Sequence, residues 1–154
     1  MTLLTVKDLN VKFDTDEGRI TAVENVSFEI NAGEVLGLVG ESGSGKTVTA
    51  KSLMQLNPSN VVYSSESGIH LDLESGVVEV LSLKSSRELE IVRGGAISMI
   101  FQEPMASFAP AITIGNQMVE QLLIHTSLSK RKCSELSVEM LERVGIDEAA
   151  KRFN

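Results

Sequence analysis

A glycine-rich octapeptide, GESGSGKT at positions 40–47, carries three glycines, two serines, one lysine and one threonine. Glycines let a backbone turn through positive φ and come close to a ligand, and the consecutive N–H groups of such a turn form a nest for anionic oxygens. Lys46 adds a full positive charge for the outer phosphates, and Thr47 offers a hydroxyl to Mg²⁺. The spacing GxxxxGK[ST] is that of a P-loop, so the octapeptide predicts a site for a nucleotide triphosphate.

A P-loop needs a strand that leads into it and a helix that leads out of it, and the flanking sequence predicts both. Residues 34–39, EVLGLV, are apolar with almost no alternation, which is typical of a short buried parallel strand. Residues 46–56 place Ala50, Leu53 and Met54 at helical spacing. The N-terminus of that helix would point its partial positive charge at the phosphates. A glycine-rich turn without a ligand is the alternative interpretation, and the two flanking elements disfavour it.

The composition is that of one acidic domain. The chain has 154 residues, 42% of them hydrophobic, and a formal net charge of −7, which argues against a general nucleic-acid surface. Its one cysteine, Cys133, excludes a disulfide framework and fits a reducing compartment. The N-terminal residues MTLLTVKDLN do not resemble a secretory signal, and no apolar run approaches the ~18 residues needed to span a bilayer. The sequence therefore predicts a cytosolic chain unless a partner holds it at a membrane.

Extended structure is predicted on both sides of the P-loop and its helix. Residues 3–13 and 19–30 alternate as strands. The register slips near Lys7 and Asp8, which predicts either a bulge or two short strands. Residues 61–85 are punctuated by serine and glycine and contain further short extended pieces. The sequence therefore predicts β-strands both before the P-loop and after its helix.

The rest of the chain predicts mostly helices. A short polar helix is expected at residues 86–93 and a buried strand at residues 96–101. Helices follow at Ile114–His125 and at residues 130–144, and Gly145 supplies the stop of the second one. The predicted fold class is therefore α/β.

A second stretch, ISMIFQEPMASFAP at positions 97–110, ends its apolar run on Gln102 and breaks at Pro104. Here the chain resembles the ATP-binding subunits of ABC transporters, because FQEPMASFAP is similar to their Q-loop in the form used by oligopeptide and dipeptide importers. VGESGSGKT resembles the P-loop of that subfamily, including Glu41, and AVENVSFEINAGEVLGLVG resembles the family's approach to the P-loop. The resemblance covers nearly the whole chain.

The resemblance implies a role for each matching residue. The triphosphate of ATP would be held by the eight residues of the P-loop: Gly40, Glu41, Ser42, Gly43, Ser44, Gly45, Lys46 and Thr47. Gln102 would join Thr47 in binding Mg²⁺ or its water and would report the γ-phosphate to the membrane subunits; a solvated loop amide is the alternative. Residues 103–112 would lie near the coupling surface. Phe13 would stack on adenine, a kind of contact worth ~1–3 kcal/mol, and a core phenylalanine of a strand is the alternative.

The resemblance also implies an architecture and a function. The chain would be the N-terminal part of a single ABC nucleotide-binding domain, with a P-loop core and an antiparallel β-subdomain in residues 1–102. The β-subdomain would be built from residues 1–30 and 61–85. Residues 103–154 would contain the Q-loop and the start of a helical subdomain. The parent protein would couple ATP binding and hydrolysis to the import of peptides or similar solutes, as a peripheral subunit at the cytoplasmic face of the inner membrane. Its partners would be permease transmembrane subunits, a second ATP-binding subunit in a homo- or heterodimer and, indirectly, an extracytoplasmic solute-binding protein, with no nucleic acid.

Four elements that ABC ATPases need are absent from the sequence. These are an LSGGQ-type signature, an apolar strand that ends in the Asp that holds Mg²⁺, the Glu that follows it and polarises water, and a later His that contacts the γ-phosphate. We therefore expect no catalytic residue in this chain. The resemblance implies a domain that is incomplete at its C-terminus and that binds ATP without turning it over.

Two other classes of function stay open. Another P-loop NTPase is one of them, but a GTPase would need an NKxD-type guanine reader, and residues 126–154 lack the arginine-rich lid of a small-molecule kinase. A non-catalytic nucleotide-binding module is the other. His70 and His125 lack the spacing of metal ligands, and Cys133 is expected to be a small core residue.

Overall fold

The alternating apolar residues at the start of the chain form the predicted antiparallel sheet in the computed structural model, which describes residues 1–103 and 108–153. The chain divides into two units, Met1–Val92 and Arg93–Asn154. The first unit contains the sheet and the P-loop, and the second is mainly helical. Within the described residues, no helix is both long enough and apolar enough to cross a bilayer.

The sheet is organised around its first strand. Its five strands are β1 (Thr2–Thr15), β2 (Gly18–Asn31), β3 (Val61–Tyr63), β4 (Gly68–Leu73) and β5 (Gly76–Glu79). The strand order is β2-β1-β4-β5, and β3 also pairs with β1. All four pairings are antiparallel. These strands confirm the predicted β-subdomain in both of its parts.

The predicted bulge lies where the sequence slips, and it keeps one face of β1 in the core. Asp8 has a positive φ of 45°, and the β1–β2 register shifts between Val6 and Leu9. The buried positions accordingly change from even to odd along the strand, from Leu4 and Val6 to Leu9 and Val11. Because side chains alternate with a period of two, the extra residue is what lets both apolar pairs face the same way.

Two short helices follow within the first unit. Helix α1 (Lys46–Ser52) begins at the P-loop as predicted but ends at Ser52 rather than at residue 56. Helix α2 (Ser86–Val92) confirms the predicted polar helix and starts with a capping box. In that box the Ser85 N–H donates to Glu88 Oε2 at 2.8 Å, and the Glu88 N–H donates to Ser85 Oγ at 3.3 Å. The N–H groups of Ser85 and Lys84 lower the pKa of the Glu88 carboxyl.

The second unit contains α3 (Ile114–His125), α4 (Lys130–Arg143) and the unpredicted α5 (Ala149–Arg152). The side chains of Thr113 and Ser129 cap the first two helices. Helix α4 stops as predicted, because Gly145 has a φ of 81° and its N–H donates to the Glu142 carbonyl at 2.9 Å.

Two buried residues, Cys133 and Gly115, show how the helical unit is packed. Cys133 on α4 is fully buried, which confirms the expected core position. The N–H of the buried Gly115 on α3 donates to the Phe153 carbonyl at 3.0 Å. A Cβ at position 115 would overlap that carbonyl oxygen and the Phe153 ring, so only glycine fits there.

Two predicted buried strands are wrong. Residues 34–39 are irregular, and Val35 is 96% exposed and Val39 89% exposed. Residues 96–101 form one isolated parallel bridge, between Ile97 and Arg93, and Ile100 is 96% exposed. The physical reason is pairing: a parallel strand needs neighbours for its N–H and C=O groups, and in the described part of the chain neither segment joins the sheet.

Candidate functional site

The P-loop turns on two glycines that adopt the left-handed backbone conformation. Gly43 has a φ of 82° and Gly45 a φ of 87°. The space around Gly43 is open, whereas a Cβ at Gly45 would lie 2.5 Å from the Ala22 carbonyl oxygen and 3.1 Å from Val23 Cγ2. The first glycine is therefore needed for conformation alone, and the second also for its close approach to β2.

The Lys46 ammonium lies across this loop. Its Nζ donates to the carbonyl oxygens of Gly40 at 2.8 Å and Glu41 at 2.7 Å, and to Ser44 Oγ at 3.3 Å. Gly40 leaves room for this arrangement, since a Cβ there would lie 2.6 Å from Ser44 Oγ. Over residues 1–103 and 108–153, no carboxylate forms a salt bridge with Lys46. The loop therefore holds a positive charge that no described acidic group neutralises.

The loop is open to solvent where a ligand would enter. Glu41, Ser42 and Thr47 are exposed, and Lys46 is half-buried. The first bond of α1 is already formed, with the Thr49 N–H donating to the Gly45 carbonyl at 2.8 Å. The structure therefore brings all eight predicted P-loop residues into one turn with an exposed hydroxyl and a lysine. Such a donor set suits phosphate oxygens and a hard cation such as Mg²⁺.

Phe13 lies in the same unit, near the C-terminal end of β1. It is half-buried and stands opposite Ile20 on β2 and Val61 on β3. Val11, two residues earlier, pairs with Val23, and the Val23 side chain is the one that Gly45 approaches. Phe13 is therefore about 7 Å along β1 from that pair. Its partial exposure leaves ring surface for a ligand.

An ion pair follows Phe13 directly. Arg19 Nε donates to Asp14 Oδ1 at 2.6 Å across the β1–β2 hairpin, and Arg19 Nη2 donates to Asp14 Oδ2 at 3.1 Å. Hydrogen bonding to the guanidinium lowers the pKa of the Asp14 carboxyl and raises the pKa of Arg19. Both side chains are more than half exposed, so the pair fixes the strand end more than it stabilises the fold.

Gln102 belongs to the second unit, and each unit is described by itself. The residue is exposed in an irregular segment, so its amide is available to a ligand. The coupling surface predicted for residues 103–112 includes residues 104–107, which lie outside the described residues, as does the predicted break at Pro104.

Gln117 on α3 forms hydrogen bonds to the segment that precedes this helix. The Ala109 N–H donates to Gln117 Oε1 at 3.0 Å, and Gln117 Nε2 donates to the Ile112 carbonyl at 2.8 Å.

Three polar side chains form contacts that the sequence did not predict. Asn57 and Gln55 follow α1 and bond to neighbouring elements. His70 forms a pair with Glu79, with Nε2 and Oε2 2.7 Å apart. The described residues contain no cluster of His, Cys, Asp or Glu that could hold a metal ion.

Comparisons with known proteins agree with the resemblance on which the predictions depend. The family described as ABC transporter matches residues 23–154. The oligopeptide transport ATP-binding protein OppD of Escherichia coli (strain K12) is 44% identical over 151 residues, which is 98% of this chain and 43% of that protein. OppD of Bacillus subtilis (strain 168) is 41% identical over 99% of this chain and 41% of its own length. The dipeptide transport ATP-binding protein DppD of Lactococcus lactis subsp. cremoris (strain MG1363) is 40% identical over 99% of this chain and 42% of its own.

The chain thus spans less than half the length of these relatives. A solved structure supports the fold alone: the ATP-binding cassette MJ0796, as a dimer in a post-hydrolysis state with ADP and Pi, superposes with a TM-score of 0.68 at 22% identity. The superposition covers 91% of this chain and 57% of that one. From the matched residues, the identities and the α/β fold, the chain belongs to the ABC transporter family.

Proposed function

We propose that the full-length protein is the ATP-binding subunit of an ABC importer and couples ATP binding and hydrolysis to the transport of peptides or similar solutes. The observation that carries the proposal is the P-loop, with its two left-handed glycines and a lysine that no described carboxylate neutralises. The import of peptides is supported by the relatives, which are oligopeptide and dipeptide transport proteins at 40–44% identity.

Each predicted site residue has a role in this proposal. The backbone of the eight P-loop residues and the Lys46 ammonium would bind the triphosphate, and the Thr47 hydroxyl with the Gln102 amide oxygen would hold Mg²⁺. The cation, when bound, neutralises charge on the β- and γ-phosphates. Phe13 would stack on the adenine ring. Gln102 suits its role because an amide oxygen binds a hard cation without adding charge.

The proposal includes an assembly at the membrane. Permease subunits would carry the solute pathway, a second ATP-binding subunit would complete the nucleotide sites, and an extracytoplasmic binding protein would deliver the solute. The subunit itself would lie at the cytoplasmic face of the inner membrane.

The test of the phosphate site is Lys46→Ala in the full-length protein. Removing the one full charge of the loop should weaken binding of a fluorescent ATP analogue at least tenfold, about 1.4 kcal/mol. The matched control is Lys51→Ala, which removes a lysine from the last turn of the same helix and should leave the affinity within twofold of the wild type. Equal affinities for Lys46→Ala and Lys51→Ala would refute the assignment.

The proposed role of Gln102 separates binding from turnover. If the amide reports the γ-phosphate to the permease, Gln102→Ala should leave ATP affinity nearly unchanged and lower transport-coupled hydrolysis in the assembled transporter. Parallel losses of affinity and turnover would make Gln102 an ordinary binding residue instead.

A polypeptide of these 154 residues alone should not turn over ATP. It contains neither the Asp and Glu that follow an apolar strand nor a signature motif, and phosphoryl transfer depends on such positioning and charge stabilisation. Loss of one transition-state donor typically costs about 10²–10³-fold in rate, and several are missing. Phosphate release should equal that of a Lys46→Ala control. Sustained release that depends on Lys46 would show that catalytic residues were overlooked.

A further inference from the structure

The segment between α1 and the end of β3, residues 53–63, links the two halves of the proposed nucleotide site. We call it the connector. One of its ends continues from the helix that follows the P-loop, and its other end is the strand β3 that pairs with β1 at Phe13. Its polar side chains bond to α1 and to β1.

At the helix end, one amide group does most of the bonding. Asn57 Nδ2 donates to Ser52 Oγ at 2.9 Å and to the Val48 carbonyl at 3.2 Å, both on α1. Ser52 is fully buried and its hydroxyl donates to the same Val48 carbonyl at 2.8 Å. The Tyr63 hydroxyl on β3 is a third acceptor, 3.1 Å from the same nitrogen, and the three acceptors share its two hydrogens.

At the sheet end, backbone pairing holds the connector on β1. Tyr63 stands opposite Val11, and Val61 stands opposite Phe13. The Asp14 N–H donates to the Asn60 carbonyl at 3.0 Å, and Asn60 Nδ2 donates to the Asp14 carbonyl at 2.8 Å. The connector therefore bonds to β1 on both sides of Phe13, at Val11 and at Asp14. The path of contacts from Phe13 to α1 runs through Tyr63 and Asn57.

We propose that Asn57 and Tyr63 are positioning residues that fix the spacing between the adenine-stacking Phe13 and the P-loop. The inference depends on the proposed function, because it takes Phe13 and the loop as two contacts for one nucleotide. When two contacts for a single ligand are held at the right distance, the second forms without a further ordering cost. A looser connector would separate the two contacts without damaging either one.

A purely structural brace would behave differently from a spacing device. Loss of a brace would disturb the P-loop itself and weaken every phosphate ligand. Loss of the spacing should weaken only ligands that engage both contacts. ATP and inorganic tripolyphosphate separate these cases, since tripolyphosphate has the phosphates and no base.

The experiment is calorimetric titration of the full-length protein with ATP and with tripolyphosphate, both with Mg²⁺. Tyr63→Phe removes one hydroxyl, and Asn57→Ala removes the whole amide. We expect each variant to bind ATP roughly two- to tenfold more weakly and to bind tripolyphosphate like the wild type. The matched control is Gln55→Ala, because Gln55 Nε2 bonds the same connector to the carbonyl oxygens of Val80 and Leu83, the latter at 3.1 Å; the affinity of this variant for both ligands should be unchanged.

A double variant tests the link to Phe13. Phe13→Ala should also weaken ATP and spare tripolyphosphate, and adding Tyr63→Phe to it should cause no further loss, as expected of coupled positions. Equal losses for both ligands, no loss for either, or additive losses in the double variant would overturn the inference. Failure of the proposed function is distinct, because Lys46→Ala would then leave both ligands unaffected.

Discussion

Strand β1 and residues 34–39 are both apolar segments of the first unit, and their side chains end in opposite environments. Leu9 and Val11 on β1 are 0% exposed, whereas Val35 and Val39 are almost fully exposed. The sequences do not explain the difference, because EVLGLV is at least as apolar as LNVKF. The difference lies in pairing: β1 pairs with β2, β3 and β4, and residues 34–39 form no ladder with any described strand.

The comparison shows that hydrophobicity selects a buried strand only where the chain also supplies a ladder. The N–H and C=O groups of a strand need partners before its side chains can be buried. An antiparallel hairpin supplies such a partner within a few residues, as β2 does for β1 through the turn at Gly18. A parallel strand depends on segments distant in sequence.

Alanine substitutions at Leu9 and Val35 should have very different effects on the stability of the 154-residue chain. Leu9→Ala should lower the free energy of unfolding by about 2–5 kcal/mol, because it opens a cavity in the sheet core. Val35→Ala should change it by less than about 0.5 kcal/mol, as for an exposed side chain. Urea unfolding with unchanged m-values measures both. A comparable loss for Val35→Ala would mean that residues 34–39 are packed.

A second pair of substitutions tests the P-loop, which follows residues 34–39 in the chain, at its contact with β2. Gly43→Ala should cost about 1–2 kcal/mol, the strain of a left-handed alanine in open space. Gly45→Ala should cost about 1–3 kcal/mol more, because its Cβ would also overlap the Ala22 carbonyl. Thermal unfolding of the two variants gives the difference. Equal losses of stability in the two variants would show that Gly45 is not packed against β2.

The smallest expected effect concerns Glu34, where the exposed segment begins. Its Oε2 accepts from the Asn31 N–H at 2.7 Å and from Asn31 Nδ2 at 3.0 Å, and these bonds lower its pKa. A lowered folded-state pKa contributes stability above the unfolded pKa, and this is lost as the pH falls below about 4.5, the ordinary value. The wild type should therefore have a higher urea midpoint than Glu34→Gln at pH 7, and the difference should shrink as the pH falls below about 4.5. A gap that widens towards acid would contradict this.

Local patterns were enough to predict the elements that are stabilised locally. The strands β1 and β2, the bulge at Asp8 and the helix Ile114–His125 follow from alternation and helical spacing in the sequence. The buried strands predicted at residues 34–39 and 96–101 were wrong, because the burial of a parallel strand depends on partners that are distant in sequence. Helix α1 ends early, and the residues after it form long-range bonds that no local pattern predicts: Gln55 donates to the carbonyls of Val80 and Leu83, and Asn57 donates to the Tyr63 hydroxyl on β3.

The candidate site was predictable to the same degree. The P-loop is a contiguous motif, so its eight residues come together as expected, with Lys46 across the turn. The roles of Phe13 and Gln102 stay predictions, because stacking and cation binding depend on a ligand. Asn57 was missed because an Asn-Pro pair is common in turns and carries no signal of a long-range bond.

The buried position of Cys133 gives the chain a built-in chemical reporter. It is the one cysteine of the sequence and is fully buried on α4, so a maleimide can reach its thiol only when the helical unit opens. The rate of labelling would then report how often that unit opens, independently of the sheet. A cysteine introduced in place of the exposed Ser42 would react at once, so a dye could be attached within the P-loop while the native thiol stays unmodified.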